Sequence, residues 1–324
     1  HRIRDRPDQL FTRENAVYGV PAFGNDQLGY LRQIIPFVET RTLKLYFSTP
    51  PLDDPAIRES KPYRALSHVL GHEAPGSLHA VLSDQGLLGA LSSGLSLETS
   101  DFSLFALTMS LTPKGMREKD HVLDLAFQWI ALLRQQPEEK LKAYHNELRQ
   151  INEMNFRFRE NSDPTDFCSA VSELLFLENL DPARVLIASD EAGEYDPIIE
   201  RAFLDRLRPS NCMISVVSSD LDDSVGEWKT EKWYGAKYSE ERIDSEQIAA
   251  WENPVSIDPR LRAPGLNEYI PTDFSLRCDD DNEDEHSTEI DAEMHPPKLL
   301  HDEPKLRLWH KMDRYWRVPK AFVK

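Results

Sequence analysis

Cysteine is scarce: Cys168, Cys212 and Cys278 are the only three in 324 residues, far apart and without a CxxC pair. That excludes a disulfide scaffold and a thiolate metal cluster, and leaves reduced thiols as the simplest state. Positive charge is also short, with 38 Lys and Arg against 56 Asp and Glu and a formal net charge of −18. Phosphate backbones are held by clustered Lys and Arg, so the balance argues against nucleic acid as a partner. No stretch approaches the roughly 18 apolar residues that span a bilayer, which sets aside a membrane partner. The opening HRIRDRPDQLF likewise has no apolar core of the signal-peptide kind.

What is present is a globular composition, 40% hydrophobic and 29% charged, in a length that fits one large domain with appendages. FVETRTLKLYFS, Phe37 to Ser48, alternates Leu43, Leu45 and Phe47 with polar positions and predicts a strand. After the Pro-rich TPPLDDP, Ser60 and Pro62 fit a helix start, and Tyr63, Leu66, Val69 and Leu70 follow at helical spacing. A short helix is expected after Ser77, then two strands joined near Glu98 to Asp101. Val122, Leu125, Ala126, Trp129 and Leu133 form the apolar stripe of a buried helix. Helices are expected from Pro137, from Asp163 and Pro164 through Leu177, and from Tyr195 to Leu207, before a strand at Met213 to Val217. The order predicts an α+β fold, a mainly antiparallel sheet with helices packed on one face.

Beyond that strand the chain becomes acidic and aperiodic, with eleven Asp or Glu and one Lys from Asp279 to Glu303. Such a stretch reads as a solvated linker, since like charges repel and little apolar area offsets chain entropy. Leu308, Trp309, Tyr315, Trp316 and Val318 then suggest an aromatic hairpin turning at Met312 and Asp313. The resulting division is an arm over 1–30, an α+β domain over 31–276, a linker over 277–304, and the opening of a further domain over 305–324.

Chemistry concentrates in LSHVLGHEAPGSL, residues 66–78. His68 and His72 stand at i and i+4, a spacing that lets two imidazoles on one helical face hold zinc, and two zinc-protease classes place a glutamate base between them. Here Val69, Leu70 and Gly71 intervene, and none can take a proton from water. Glu73, next to His72, points about 100° around the helix from it and is a poor substitute. Glu147, 75 residues after His72, is the best candidate for a third ligand. The balance nevertheless favours no metal on His68, His72 and Glu147. His68 is expected to make a polar contact, and His72 to cap the helix end.

Several blocks in order are more specific than any one of them: LKLYFSTPPLDD, LSHVLGHEAPGSL, GALSSG with SLFALTMSLTPKG, NEMNFRFRE, RPSNCMISVVSS, EKWYGAKYSEERI, LRAPGLNEYIPTDF and KLRLWHKMDRYWRVPKA. From about Leu31 onward the chain resembles the insulysin, nardilysin and pitrilysin family of inverted-motif zinc metallopeptidases. It looks like their second, non-catalytic domain with the linker that follows. The resemblance implies an insulysin-like repeat of the fold whose first copy carries HxxEH, with Gly71 standing where the glutamate would be. It implies Zn2+ in the parent enzyme's catalytic domain and none on this chain, which is catalytically inactive by itself. Implied partners are the preceding catalytic domain, the following C-terminal half of the same polypeptide, and peptide substrates. By position it assigns a chamber-wall exosite for a peptide's N-terminal end to His68, Glu73, Leu91, Ser92 and Ser93, where a strand edge offers main-chain groups and a carboxylate suits an ammonium. The alternative is a non-enzymatic homologue with an assembly role. WYGAKY and NEYIPTDF are expected to pack against the domain or its neighbour.

Overall fold

The computed structural model describes residues 28–52, 54–99, 102–160, 162–176, 181–224, 226–275, 296–303 and 306–311. Most of the expected arm, most of the expected linker, and the segment from Met312 onward lie outside them. The sheet is built from β1 (Tyr30–Ile35), β2 (Arg41–Thr49), β3 (Leu88–Glu98), β4 (Ser103–Leu111), β5 (Cys212–Ser218), β6 (Lys229–Thr230) and β7 (Lys237–Arg242). The helices are α1 (Pro55–Ser60), α2 (Pro62–Leu70), α3 (Leu78–Asp84), α4 (Pro113–Arg117), α5 (Lys119–Arg134), α6 (Glu138–Arg157), α7 (Pro164–Phe176), α8 (Pro197–Leu204) and α9 (Ser245–Glu252).

Strand order is β3-β4-β2-β5-β1-β7-β6. The β1–β5 pair is parallel and the other pairs are antiparallel, as expected for an α+β domain. Alternation in β2 sets the core. Leu43 lies opposite Met109 and Val216, Leu45 opposite Leu107 and Ile214, and Phe47 opposite Phe105 and Cys212. These rows are at most 1% exposed, whereas Lys44 and Tyr46, on the other face, are only half-buried. One face is therefore the helix-covered face. The α5 stripe Val122, Leu125, Ala126, Trp129 and Leu133 is wholly buried, and Phe203 of α8 meets Phe105 edge to face at 6.0 Å.

Several elements depart from the sequence pattern. TPPLDDP is not only a turn, because Asp54 accepts hydrogen bonds from the Ala56 and Ile57 amides and starts α1. Ser60 consequently ends a helix rather than capping one, and Lys61, at φ 46°, makes the joint into α2. The predicted strand at Phe37 begins at Arg41, while Phe37 and Val38 are exposed. β1, β6, β7 and α9 carry little periodicity. The three strands are held by main-chain pairing and by surface ion pairs such as Arg32–Glu240 at 2.7 Å, whereas α9 is anchored by the single ring of Trp251, stacked on Phe127 at 4.7 Å and donating to Asp124. Trp233 and Tyr234, expected to pack against the domain or its neighbour, do not pack on the domain itself: they are 78% and 83% exposed on a turn whose amides donate to Glu231. β8 (Lys298–Glu303) pairs antiparallel with β9 (Leu306–His310), so a strand falls inside the expected linker, while the expected turn at Met312 and Asp313 lies outside the described residues.

Candidate functional site

α2 begins with Pro62 in its first turn and buries Ala65, Leu66, Val69 and Leu70 against the core. That orientation leaves Ser67, His68 and His72 on the half-buried flank. The Trp129 indole N–H donates to the carbonyl of Leu70 at 3.3 Å and fixes the end of the helix. The flank faces β3 at the sheet edge, and two reciprocal bonds join them. Ser67 Oγ donates to the Ser93 carbonyl at 2.5 Å, and Ser93 Oγ donates to the Ser67 carbonyl at 2.8 Å.

The second connection runs to α6. His68 Nε2 donates to Glu147 Oε1 at 2.8 Å, and Glu147 Oε2 accepts the Asn267 amide at 2.5 Å. Glu147 is 5% exposed, so both partners of this buried carboxylate matter. Three residues earlier, the Tyr144 hydroxyl donates to the Pro264 carbonyl at 2.7 Å. Burial, with the Glu147 charge added, pushes the Tyr144 phenol up to about 12. The segment from Pro264 to Asn267 is thereby strapped along α6 beside the site. Phe274 continues the strap, its ring 5.5 Å from Phe158 with the Arg157 guanidinium 4.7 Å above it.

The His72 ring does not cap the carbonyls of α2: its Nδ1 accepts the Ala74 amide at 3.0 Å and braces the turn after the helix, while only its backbone amide donates back, to the Val69 carbonyl at 3.3 Å. Burial holds the ring below the usual histidine range, and nearby His68 adds to this. The two imidazoles lie edge to face at 5.8 Å. Ligand atoms of His68, His72 and Glu147 fall within 4.8 Å of one another, so the fold does gather a potential metal triad. Hydrogen bonding works against its use. A ring nitrogen that accepts an amide carries no proton, which puts the proton of neutral His72 on Nε2. A metal on Nε2 would need the opposite tautomer, whose Nδ1–H would confront the Ala74 N–H instead of finding the acceptor such ligands ordinarily have. At position 71, a Cβ would lie 3.2 Å from both the Ser67 carbonyl and Ser93 Oγ, so a larger residue there would push on the Ser67–Ser93 joint by a few tenths of an ångström.

The proposed peptide contacts divide by geometry. Glu73 is exposed just past α2. The Ser93 carbonyl is turned toward α2, and by the alternation of an antiparallel pair Leu91 also directs its main chain outward while Ser92 faces β4. Leu91 is thus the freer edge position, and Ser93 already has its carbonyl engaged. Ser67 and Asn267 were not singled out by sequence reasoning. The only signal for Asn267 was its block NEYIPTDF, and Ser67 carried none beyond lying one residue before His68.

Two family models match the chain, one described as the peptidase M16 inactive domain over residues 14–148 and one as the middle or third domain of peptidase M16 over residues 156–324. Their boundary falls within α6, although a single sheet takes strands from both sides of it. A nardilysin-like protein of Arabidopsis thaliana is 30% identical over 299 residues, covering 90% of this chain and 28% of the relative. Insulin-degrading enzyme of Homo sapiens is 30% identical over 301 residues, covering 92% and 28%. The chain thus spans little more than a quarter of these relatives. The crystal structure of pitrilysin superposes with a TM-score of 0.72 at 24% identity over 92% of this chain and 30% of that one, a likeness of fold.

Proposed function

The chain belongs to the peptidase M16 family, and on that footing we propose that it is the substrate-holding, non-catalytic domain of a longer zinc metalloendopeptidase, forming part of a chamber wall. The observation that carries this reading is the joint between α2 and β3. The reciprocal Ser67–Ser93 bonds and the His68–Glu147–Asn267 chain fix a helix end beside an open sheet edge, with Glu73 exposed at that end. An extended peptide would pair its main chain with the edge at Leu91 and bring its terminal ammonium toward Glu73. His68, Ser92 and Ser93 complete the surface. Zinc belongs to the catalytic domain of the parent enzyme. Gly71 supplies no base here, and the His72 tautomer supplies no ligand.

A peptide with a free N-terminus is expected to bind more tightly than its acetylated form, and Glu73→Gln should abolish most of that difference. The predicted loss is about 1.5- to 5-fold in affinity, the range of an exposed charge pair. Equal binding of the two peptides to the parent chain would sink the reading. Zinc added to the chelator-treated chain should not be retained stoichiometrically after dialysis, and retention that depends on His68 and His72 would contradict the tautomer argument. The assembly alternative would gain if the sequence encoded upstream lacked HxxEH.

A further inference from the structure

Among the described residues, α7 is an amphipathic helix that no other element covers. Phe167, Ala170, Val171, Leu174 and Leu175 follow i, i+3, i+4, i+7 and i+8 spacing on one side, and Asp166, Ser169, Ser172 and Glu173 occupy the other. Such a stripe normally faces a core. Here Phe167 is 41% and Leu175 58% exposed, Val171 and Leu174 are only half-buried, and α7 makes no substantial packing contact with another element among the described residues. A helix of 13 residues is marginal in water without tertiary support, even with the N-terminal turn in which Asp163 accepts the Thr165 amide.

The segments on either side of α7 open onto the same feature. A cavity of about 580 Å3 is walled by α6, including Arg149 and Phe156, and by the loop from Arg184 to Tyr195, including Ile187. That loop is firmly seated. Lys61 and Arg64 donate to its carbonyls, and Gly193, at φ 88°, lies so close that a Cβ would come 2.5 Å from the Ser60 carbonyl. α7 is therefore the exposed excursion between two fixed walls.

We propose that the apolar face of α7 is a docking surface for another domain of the same polypeptide, one that presents an apolar strip rimmed by Lys or Arg. The relatives are more than three times as long as the matched region, so a large part of such a polypeptide is available to cover the helix. Asp166 and Glu173, two turns apart on one side of the helix, run along one margin of the stripe and call for basic groups opposite. A second copy of this chain is a poor occupant, because each carries a formal charge of −18 and the two would repel.

Cys168 on α7 is exposed and serves as a native reporter, while Cys212 is buried. Maleimide labelling of Cys168, resolved by peptide mass spectrometry, should be at least about tenfold slower in the longer polypeptide than in the 324-residue chain, since thiol reactivity depends on access. Leu175→Glu in the longer polypeptide should restore the fast rate. Equal rates in the two proteins would overturn the proposal. So would protection that Leu175→Glu leaves intact, or slow labelling of the 324-residue chain that speeds up on dilution, which would make a second copy the occupant.

Discussion

Trp129→Ala should lower the unfolding free energy by about 3–5 kcal/mol, and Trp129→Phe by about 1–2 kcal/mol, in urea denaturation at neutral pH. Trp129 is completely buried on α5, so truncation to alanine removes a large ring and leaves a space that a core anchored on three strands cannot close. The phenylalanine variant keeps most of the apolar volume. What it loses is the indole N–H donated to Leu70, one of the last carbonyls of α2, which has no partner within its own helix. The pair of variants separates packing from hydrogen bonding, and the second also bears on function. His72 and Glu73 lie two and three residues past the Leu70 carbonyl that Trp129 holds, so Trp129→Phe should weaken binding of a free N-terminus while the protein remains folded. An alanine variant that lost less than about 1 kcal/mol would show that the ring is not a core anchor.

Burial explains which parts of this architecture are legible from residues alone. The β2 alternation and the α5 stripe could be read because half or more of each element faces a dry core, and apolar periodicity records that constraint. β7, KYSEER, is an equally genuine strand without such a record, because it is half-exposed and its order comes from pairing with β1. α1 escaped for a different reason. Three prolines and two aspartates suggest a turn, and only the position of Asp54 as a cap makes six residues helical. At the site, His68, His72 and Glu147 were recognisable as one chemical group, and the fold does bring them together. The tautomer of His72 was not recognisable, since it depends on the direction of a single amide two residues later. Ser93 was named only as an edge position, and its pairing with Ser67 was invisible for a related reason: reciprocal bonds between a helix and an edge strand have no spacing rule. Trp233 and Tyr234 do not pack on this domain, because aromatic composition alone does not say whether the surface they meet lies on the same domain or on a neighbour.

Glu200→Gln should leave stability unchanged near pH 4 and raise it by roughly 3–5 kcal/mol near pH 8. Glu200 is 2% exposed in the first turn of α8, and burial pushes its carboxyl up to about 8. Its sequence neighbour Arg201 offsets this only in part, because the guanidinium donates to the carbonyls of Arg134 and Gln136 at 2.6 and 2.8 Å. In the unfolded chain the carboxyl ionises near its ordinary value of 4.5, below the folded one. The folded protein therefore binds the proton more tightly. Its contribution to stability is fully present below pH 4.5 and is lost as pH rises through the window up to about 8. Each tenfold difference in proton affinity is worth about 1.4 kcal/mol, which sets the size of the expected gain. Glutamine keeps the shape and cannot ionise, so it removes the penalty without opening a cavity. Other groups bend both stability curves alike, and the difference between parent and variant isolates Glu200. A difference that does not change between pH 4.5 and pH 8 would mean that this carboxyl is not held neutral by the fold. The same penalty bears on the site, because α8 packs against α1 and α2. Glu200→Gln should consequently steady the helix that carries His68 most in the alkaline range, where the buried parent carboxyl is under pressure to ionise.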